Sequence, residues 1–505
     1  MVELLRGWKW VLFAAFVLGT FYLITRLTNL TLLPIFTDEA IYIRWSQIGA
    51  QDANWRFISL VDGKQPLFTW IAMVLLRLFH GDPLFIGRLV SVIAGAGSAV
   101  GIACLAYELF RKKTIAFWAS LLYIVSPFAL LYDRMALYDS LVAALSIWNL
   151  YLAVLLAKKV RLDVALLLGM TLGLGMLNKS SGFLSLYLLP VTLFLFDWKK
   201  DDRWRRLRTW LGLAIVAAIV SQALYSVLRL SPLLHMVKAK DALFVYPLQE
   251  WMTQPLRFVE GNLRGLFDWL WRYLSFPVVL VIAAGFFMRR MTKEHILLLL
   301  WWALPFVALA TFGKVLYPRF ILFMTMPLLI LAAAGCDWIF FNVRNRRIAV
   351  VLFALIFIPS LYADYYLLTN PASAPIPKAD TGQYVNDWPA GGGMNESIAY
   401  LAKEASIGPI SIYTDGTFGL LPYAAEIYLV DHPNVSIHGI WPLPQNPPPD
   451  LLSDAASRPT FFILNQTQIA PVGWPLRLIS EYQKGINPDK KLRLYRVVPQ
   501  LAVRA

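Results

Sequence analysis

Charged side chains are scarce in this sequence. Only 15% of the 505 residues are Asp, Glu, Lys or Arg, whereas a soluble domain carries about 25%. Carboxylates are the scarcest, because 31 Asp and Glu stand against 46 Lys and Arg, for a net charge of +15. This composition excludes a soluble globular protein. The apolar residues, 58% of the chain, come in runs of about 18 or more, which are long enough to cross a bilayer as helices. We therefore predict a polytopic membrane protein.

Cysteine and histidine are also rare. Cys104 and Cys336 lie in separate apolar runs, so we expect no disulfide framework. The five histidines form no metal-ligand motif, and we predict no cofactor and no metal, although clustered carboxylates can bind Mg²⁺ or Mn²⁺. The excess positive charge lies in short loops between apolar runs. That placement is typical of membrane topology and of contact with anionic membrane lipids, not of nucleic-acid binding.

The apolar runs predict a helical bundle with about 11 to 13 transmembrane helices. A shorter run at 66–79 predicts an amphipathic interfacial helix or a tilted one. Eleven spans are placed near residues 8–26, 84–107, 115–131, 137–156, 163–178, 182–197, 210–229, 273–288, 295–312, 319–340 and 348–368.

The basic residues orient this bundle. Arg6, Lys9 and alternate loops at 111–113, 158–161, 198–208, 289–293 and 343–347 together carry about 20 positive charges. The opposite short loops hold only Arg134, Lys179, Lys314 and Arg319. Because cytoplasmic loops are enriched in Lys and Arg, we expect a multi-pass protein of the cytoplasmic membrane. Its N-terminus would be cytoplasmic, and an odd number of spans would place its C-terminus outside.

The composition changes at about residue 370. Up to 369 we expect the transmembrane domain, with two long exterior loops at 27–83 and 231–272. A Pro-rich linker follows, and then short apolar runs at 409–414, 460–465 and 492–498 that read as strands, with a helix at 395–405. Residues 370–505 are therefore predicted to form a small α/β domain on the exterior face.

Charged residues of both signs gather in the exterior segments. Taken singly, each could be a helix cap, a side chain reaching lipid headgroups, or a helix-end anchor. Together they have the composition needed to neutralise a phosphate beside a carboxylate that acts as a general base. The candidates are the carboxylates Asp38, Glu39 and Asp139, and the cations Lys64, Arg134, Lys179 and Arg319.

The segments that hold these residues resemble a known family. In order and spacing, FTDEAIY, DGKQPLFTW, RMALYDS, GLGMLNKSSGFL and YPRFILFMTMPLLILAAAG are similar to the GT-C polyprenyl-phosphate-sugar glycosyltransferases. Within that group the resemblance is to bacterial and archaeal homologues of protein O-mannosyltransferases and to the lipid A aminoarabinose transferase. It covers the bundle up to about residue 340. The chain has KQP where a double proline is common and NKSSG where Thr-Lys-Gly is usual, so the donor sugar and the acceptor stay open.

The resemblance implies an all-α polytopic bundle of GT-C type followed by the small exterior α/β domain. It implies a glycosyltransferase that moves a sugar from a polyprenyl-phosphate donor to a lipid, glycan or protein acceptor, with inversion. Asp38 would deprotonate the acceptor hydroxyl or amine, and Glu39 would bind the acceptor or position the base. Asp139 would orient Arg134 or the loop that carries Asp38. The four cations would neutralise the phosphate leaving group.

Other functions remain open at this point. Within the same class, an oligosaccharide ligase or polymerase would transfer a whole lipid-linked glycan. A transporter or flippase for lipid-linked sugars would need charges buried within spans and paired halves with broken helices. A membrane-anchored scaffold is a third alternative. The tail stretch GQYVNDWPAGGGMNESIAYL, residues 382–401, has no role that the sequence assigns.

Overall fold

The computed structural model of the protein describes residues 2–254, 256–288, 291–465 and 468–498. Arg289 and Arg290, two of the cations predicted for a cytoplasmic loop, lie outside these ranges. The chain up to residue 369 is helical. Its helices are α1 Val2–Leu27, α2 Thr37–Gln51, α3 Leu67–Leu78, α4 Pro83–Phe110, α5 Lys113–Ile124, α6 Pro127–Asp133, α7 Tyr138–Lys159, α8 Leu162–Asn178, α9 Phe183–Tyr187, α10 Arg203–Tyr225, α11 His235–Phe244, α12 Leu248–Thr253, α13 Val259–Leu274, α14 Phe276–Met288, α15 Lys293–Phe312, α16 Leu322–Asn342 and α17 Arg346–Thr369.

Each of the eleven predicted spans corresponds to a helical segment of the structure, although not every one is a single long helix. Within the described residues, 7 helices are long and apolar enough to cross a membrane, or 9 if each of two bent pairs counts as one span. The bent pairs are α5 with α6, at 61°, and α13 with α14, at 99°. The two remaining predicted spans, 163–178 and 182–197, form shorter segments. Helix α8 has 17 residues, and 180–195 is divided into 3-10 and α turns with Pro190 in the second of the 3-10 turns.

Both shorter segments still connect the two ends of the bundle. At one end, Asn178 donates to the Tyr138 carbonyl oxygen at 3.1 Å. At the other end, Phe196 packs in a buried cluster with Leu156, Val164 and Trp210. This second end also holds ion pairs between Lys158 and Glu108, at 3.2 Å, and between Lys112 and Asp337, at 2.9 Å. The basic loops therefore lie at the end opposite to Asn178.

Local sequence explains where several helices begin. Asp82 caps α4 by accepting a hydrogen bond from the Leu84 amide at 2.8 Å, and Pro83 occupies the first turn, where its missing N–H costs nothing. Helices α2 and α7 begin with carboxylates, Asp38 and Glu39 in one and Asp139 in the other. Negative charge is favourable at a helix N-terminus because it meets the positive end of the helix dipole.

The tail after residue 370 contains a five-stranded sheet. Its elements are α18 Lys378–Thr381, α19 Met394–Ile407, β1 Ile410–Thr414, α20 Leu420–Leu429, β2 Val435–Gly439, α21 Pro449–Ser457, β3 Thr460–Leu464, β4 Leu476–Gln483 and β5 Lys491–Val497. The strand order is β2-β1-β3-β5-β4, with β1 parallel to β2 and β3, and β5 antiparallel to β3 and β4. The predicted helix and three predicted strands are confirmed. The two strands not predicted, β2 and β4, are the edge strands, whose partial exposure gives them weak apolar patterns.

Helix α20 of the tail packs on α2. The Arg44 guanidinium forms an ion pair with Glu426 of α20 at 2.6 Å, and Gln47 donates to the Ile427 carbonyl oxygen at 2.8 Å. An isolated β-bridge joins Phe36, just before α2, to Ala390. The tail therefore contacts the helix that begins with Asp38.

Candidate active site

Asp38 and Arg319 form an ion pair at one end of the bundle. Asp38 lies in the first turn of α2, and Arg319 lies in the 3-10 turn Pro318–Ile321 that leads into α16. The distance from Arg319 Nη1 to Asp38 Oδ2 is 3.0 Å, and the two side chains are 9% and 22% exposed. The guanidinium also lies against aromatic rings, 5.6 Å from the Phe36 centroid and 5.0 Å from that of Tyr317. These contacts hold Arg319 in one orientation while leaving Asp38 partly accessible.

The charges around Asp38 keep its carboxyl group ionised. Burial by itself raises the pKa of Asp38, but the positive charges of Arg319 and Lys64 outweigh burial and lower that pKa below its ordinary value. Asp38 is therefore a carboxylate, the form that can accept a proton.

Lys64 is a cation that forms no direct ion pair among the described residues, although the charge of Asp38 acts on it. It follows Gly63, whose φ of +66° is left-handed, and a Cβ added at Gly63 would lie 2.3 Å from the Met236 carbonyl oxygen, so only glycine fits there. The Lys64 ammonium lies 5.7 Å from the Phe244 ring centroid, and within the described residues it makes no ion pair or side-chain hydrogen bond. Burial lowers the pKa of Lys64 to about 8. A partly buried ammonium of this kind is stabilised by an anion placed beside it.

Lys179 is the third cation. Its ammonium contacts Asp139 Oδ1 at 2.7 Å and lies 4.5 Å from the Phe320 ring centroid. Beside it, Gln65 donates to Ser180 Oγ at 2.7 Å, and Ser180 donates to Asp241 Oδ2 at 2.8 Å. Asp139 therefore orients Lys179, and not Arg134 as one alternative had it.

The three cations Lys64, Lys179 and Arg319 line one cavity of about 810 Å³. One part of its wall is polar and holds Lys64, Lys179 and Arg319. Other parts are apolar and come from helices α7, α9, α15 and α16. These apolar residues are Val142, Leu184, Pro305, Ala308, Leu309, Phe312, Phe323 and Met324. The cavity thus has the chemistry to receive an anionic group attached to a long apolar chain.

Sequence reasoning missed several polar residues of this wall, namely Gln65, Ser180, Lys238, Lys240 and Asp241. Gln65, Lys238, Lys240 and Asp241 lie in the two long exterior loops, and Ser180 lies in the stretch GLGMLNKSSGFL. The sequence therefore indicated the segments that hold these residues, but it did not identify the individual side chains. Among the described residues, no group of three or more His, Cys, Asp or Glu side chains is placed to hold a metal ion.

Glu39 is the neighbour of Asp38 but has a different environment. Its carboxylate is fully buried and accepts both Nε and Nη2 of Arg88, each at 2.8 Å. It also accepts the amides of Phe36, at 3.0 Å, and Ala136, at 2.7 Å. With four donors satisfied, Glu39 has no oxygen left for an acceptor molecule. These contacts favour the alternative in which Glu39 positions the base over the one in which it binds the acceptor.

Arg134, a candidate for neutralising the phosphate, is not among the residues that line this cavity. Its guanidinium donates to the carbonyl oxygens of Thr25, Arg26, Thr28 and Asn29, at distances between 2.6 and 3.1 Å. The first two carbonyls belong to the last turn of α1, where no helical amide satisfies them, and the other two directly follow the helix. Arg134 therefore caps α1 from within the bundle. Its neighbour Asp133 is also buried and forms an ion pair with Arg26 at 3.3 Å.

Comparison with known proteins agrees with this architecture. A family model for dolichyl-phosphate-mannose-protein mannosyltransferases matches residues 63–225, about a third of the chain. The undecaprenyl phosphate-alpha-4-amino-4-deoxy-L-arabinose arabinosyl transferase of Pseudomonas aeruginosa (strain UCBPP-PA14) is 30% identical over 225 residues. The match covers 43% of this chain and 39% of that protein, so the chain spans about two fifths of the length of this curated relative.

Two solved structures match most of the chain. ArnT from Cupriavidus metallidurans bound to undecaprenyl phosphate has a TM-score of 0.54 at 16% identity, covering 98% of this chain and 99% of ArnT. The archaeal oligosaccharyltransferase AglB from Archaeoglobus fulgidus, in complex with an inhibitory peptide and a dolichol-phosphate, also has a TM-score of 0.54, at 12% identity, covering 90% of this chain and 69% of AglB. These likenesses show that the chain has the GT-C fold. Together with the family model and the curated relative, they confirm the resemblance to the GT-C polyprenyl-phosphate-sugar glycosyltransferases that the sequence motifs indicated.

Proposed function

We propose that this protein is a membrane glycosyltransferase that moves a sugar from a polyprenyl-phosphate donor to an acceptor hydroxyl or amine. One observation carries the proposal. Lys64, Lys179 and Arg319 line the polar part of a cavity with apolar walls, and Arg319 is at the same time paired with the carboxylate of Asp38. Phosphate-neutralising cations and a proton acceptor are thereby joined in one site.

The donor fits the cavity by its chemistry. A polyprenyl chain would lie along the apolar wall between α7, α15 and α16, and its phosphate would meet the three cations. Lys64 supports this placement because it forms no direct ion pair among the described residues, and burial lowers its pKa to about 8 despite the charge of Asp38. An anion placed beside it would stabilise the ammonium. The match to ArnT bound to undecaprenyl phosphate supports a lipid phosphate as the ligand.

The reaction would be a single displacement. Asp38 would take the proton from the acceptor, whose oxygen or nitrogen forms a bond to the anomeric carbon. The bond from that carbon to the phosphate oxygen breaks, and the polyprenyl phosphate leaves with the electron pair, so the anomeric configuration is inverted. Lys64, Lys179 and Arg319 would stabilise the negative charge that develops on the leaving phosphate.

Arg319 would connect donor binding to the base. While it contacts only Asp38, its charge lowers the pKa of that carboxylate and weakens it as a base. A donor phosphate beside Arg319 compensates part of this charge, so the proton affinity of Asp38 would rise when the donor is bound. Glu39, held by Arg88, and Asp139, held by Lys179, would position α2 and Lys179.

The activity is tested with purified full-length protein and a panel of radiolabelled polyprenyl-phosphate sugars, by following the loss of sugar from the lipid. Asp38→Asn keeps the size of the side chain and removes the proton acceptor, so turnover should fall about 10²- to 10⁴-fold. Asp163→Asn is the matched control, because Asp163 is also paired with an arginine, Arg161, at 2.6 Å, but lies at the opposite end of the bundle.

Three results would contradict the proposal. Turnover of Asp38→Asn equal to that of Asp163→Asn would exclude Asp38 as the base. Transfer of a whole glycan from a lipid-linked oligosaccharide, with no transfer of single sugars, would instead identify an oligosaccharide ligase. Movement of the lipid-linked sugar across vesicles without loss of sugar would identify a flippase.

We also infer that the site faces the exterior of the cytoplasmic membrane, because the basic loops gather at the other end of the bundle. The test uses single cysteines in protein lacking Cys104 and Cys336. Ser457→Cys, exposed in the tail, should react with an impermeant thiol reagent added outside intact cells, and Thr209→Cys, exposed at the basic end, should not. The reverse labelling pattern would overturn the orientation.

A further inference from the structure

A segment of the tail reaches both members of the Asp38–Arg319 pair. This segment, residues 380–391, contains the first half of the stretch GQYVNDWPAGGGMNESIAYL, to which the proposed reaction gives no role. Its last residues bind the backbone just before Asp38. The Thr37 amide and hydroxyl both donate to the Pro389 carbonyl oxygen, each at 2.9 Å, and the Gly391 amide donates to the Ile35 carbonyl oxygen at 2.7 Å. The entry of the chain into α2 is therefore fixed by the tail.

The first residue of the segment, Asp380, is fully buried in the bundle. Its Oδ2 accepts hydroxyl hydrogen bonds from Tyr132 of α6, at 2.8 Å, and from Tyr273 of α13. Its Oδ1 is buried and has no hydrogen-bond partner within the described residues. Burial raises the pKa of Asp380 to about 7. Burial of a carboxyl group costs free energy unless it is hydrogen-bonded, so the two tyrosine hydroxyls hold Asp380 in one position.

Aromatic contacts link Asp380 to Arg319. Tyr384, four residues along the segment, donates to the Tyr132 hydroxyl at 3.3 Å. The Tyr384 ring meets the Phe36 ring edge-on with centroids 4.8 Å apart, and the Phe36 ring lies 5.6 Å from the Arg319 guanidinium carbon. The packed series from Asp380 to Arg319 therefore runs through Tyr132, Tyr384 and Phe36.

We propose that residues 380–391 are part of the catalytic unit, with Asp380 as a positioning residue that acts on Arg319 through Tyr132, Tyr384 and Phe36. Pro389 and Gly391 fix the other member of the pair by holding the backbone before Asp38. The proposal rests on the function proposed above. It gives the tail a direct part in the reaction, since a small displacement of a catalytic group is enough to slow a reaction strongly.

The test is a double-mutant cycle on the affinity of the full-length protein for undecaprenyl phosphate. Its four forms are the wild type, Asp380→Ala, Arg319→Gln and the double variant. Arg319→Gln should weaken binding about 10- to 100-fold, through loss of a charge-assisted contact. Asp380→Ala should weaken it by about 3- to 30-fold. In the Arg319→Gln background, Asp380→Ala should have no further effect, because its action on the ligand passes through Arg319.

Asp454→Ala is the matched control. Asp454 also lies in the tail and accepts a hydrogen bond from a tyrosine hydroxyl, that of Tyr413 at 3.0 Å, but it belongs to α21 and contacts β1. Its removal should leave the affinity within about twofold of the wild type, which is the scatter expected for independent sites.

The outcomes separate this inference from the proposed function. If wild-type protein binds undecaprenyl phosphate and the two effects are additive, or Asp454→Ala weakens binding as much as Asp380→Ala, only the inference is overturned. An Asp380→Ala protein that melts earlier but binds normally also overturns it, because Asp380 is then structural alone. If wild-type protein does not bind undecaprenyl phosphate, the proposed function fails and the inference fails with it.

Discussion

Affinity for undecaprenyl phosphate should fall as Lys64 loses its proton. Burial lowers the pKa of the Lys64 ammonium to about 8 in the free protein, so the group changes charge in a range that the assay can reach. A phosphate monoester, with a second pKa of about 6, is already a dianion above pH 7.5. Between pH 7.5 and 9.5, Lys64 is therefore the group whose charge change should govern binding.

The magnitude follows from this pKa. If only the protonated form of Lys64 binds phosphate, the apparent Kd should rise about 25-fold between pH 7.5 and 9.5, which is about 1.9 kcal/mol. The sign is set by the cation, because the ammonium attracts the phosphate and the neutral amine does not. Lys64→Arg should flatten the profile, since a guanidinium stays charged over this range. Lys64→Gln should bind weakly and without this pH dependence.

The measurement is a titration of detergent-solubilised protein with undecaprenyl phosphate at several pH values. Lys158→Gln is the control, because Lys158 is also a partly buried lysine, but it is paired with Glu108 at 3.2 Å at the opposite end of the bundle. That variant should keep the slope of the wild type. A wild-type profile that is flat, or one that Lys64→Arg does not change, would refute the assignment of Lys64 to the phosphate.

Three further predictions concern residues that the structure places in buried networks. Glu39→Gln should destabilise the fold by about 3–5 kcal/mol, because it leaves Arg88 buried without a counter-charge. The control is Glu260→Gln, whose ion pair with Arg264 is exposed, and equal melting temperatures for the two variants would contradict the prediction. Arg134→Gln should lower the melting temperature yet bind undecaprenyl phosphate as the wild type does, whereas weakened binding by the folded variant would restore Arg134 to the phosphate site. Asp380 has a pKa of about 7 against an ordinary value of 3.8, so its contribution to stability is full below about pH 4 and lost as pH rises through 7. Asp380→Asn should reduce the fall in melting temperature between pH 5 and 8, and an unchanged pH dependence would count against this charge state.

The sequence by itself determined the class of the protein and much of its outline. Apolar runs of membrane-spanning length specify helices whatever their neighbours are, because the backbone must satisfy its own hydrogen bonds in lipid. The strands β1 and β3 were also predicted from the sequence, because each contains a short apolar run. In the structure every residue of both strands is buried. The clustering of charges in the exterior segments also identified Asp38 and three of the cations that line the cavity, Lys64, Lys179 and Arg319.

Tertiary structure decided what each charge does. Asp38 and Glu39 are adjacent on one helix turn, yet one faces Arg319 with partial exposure and the other is enclosed by Arg88. Arg134 and Arg319 were equivalent as exterior cations, and their partners, carbonyls in one case and a carboxylate in the other, separate them. Asp380 meets Tyr132 only because a tail 248 residues later folds into the bundle. Burial and partners set the ionisation and the reach of a side chain, and both come from residues far away in the sequence.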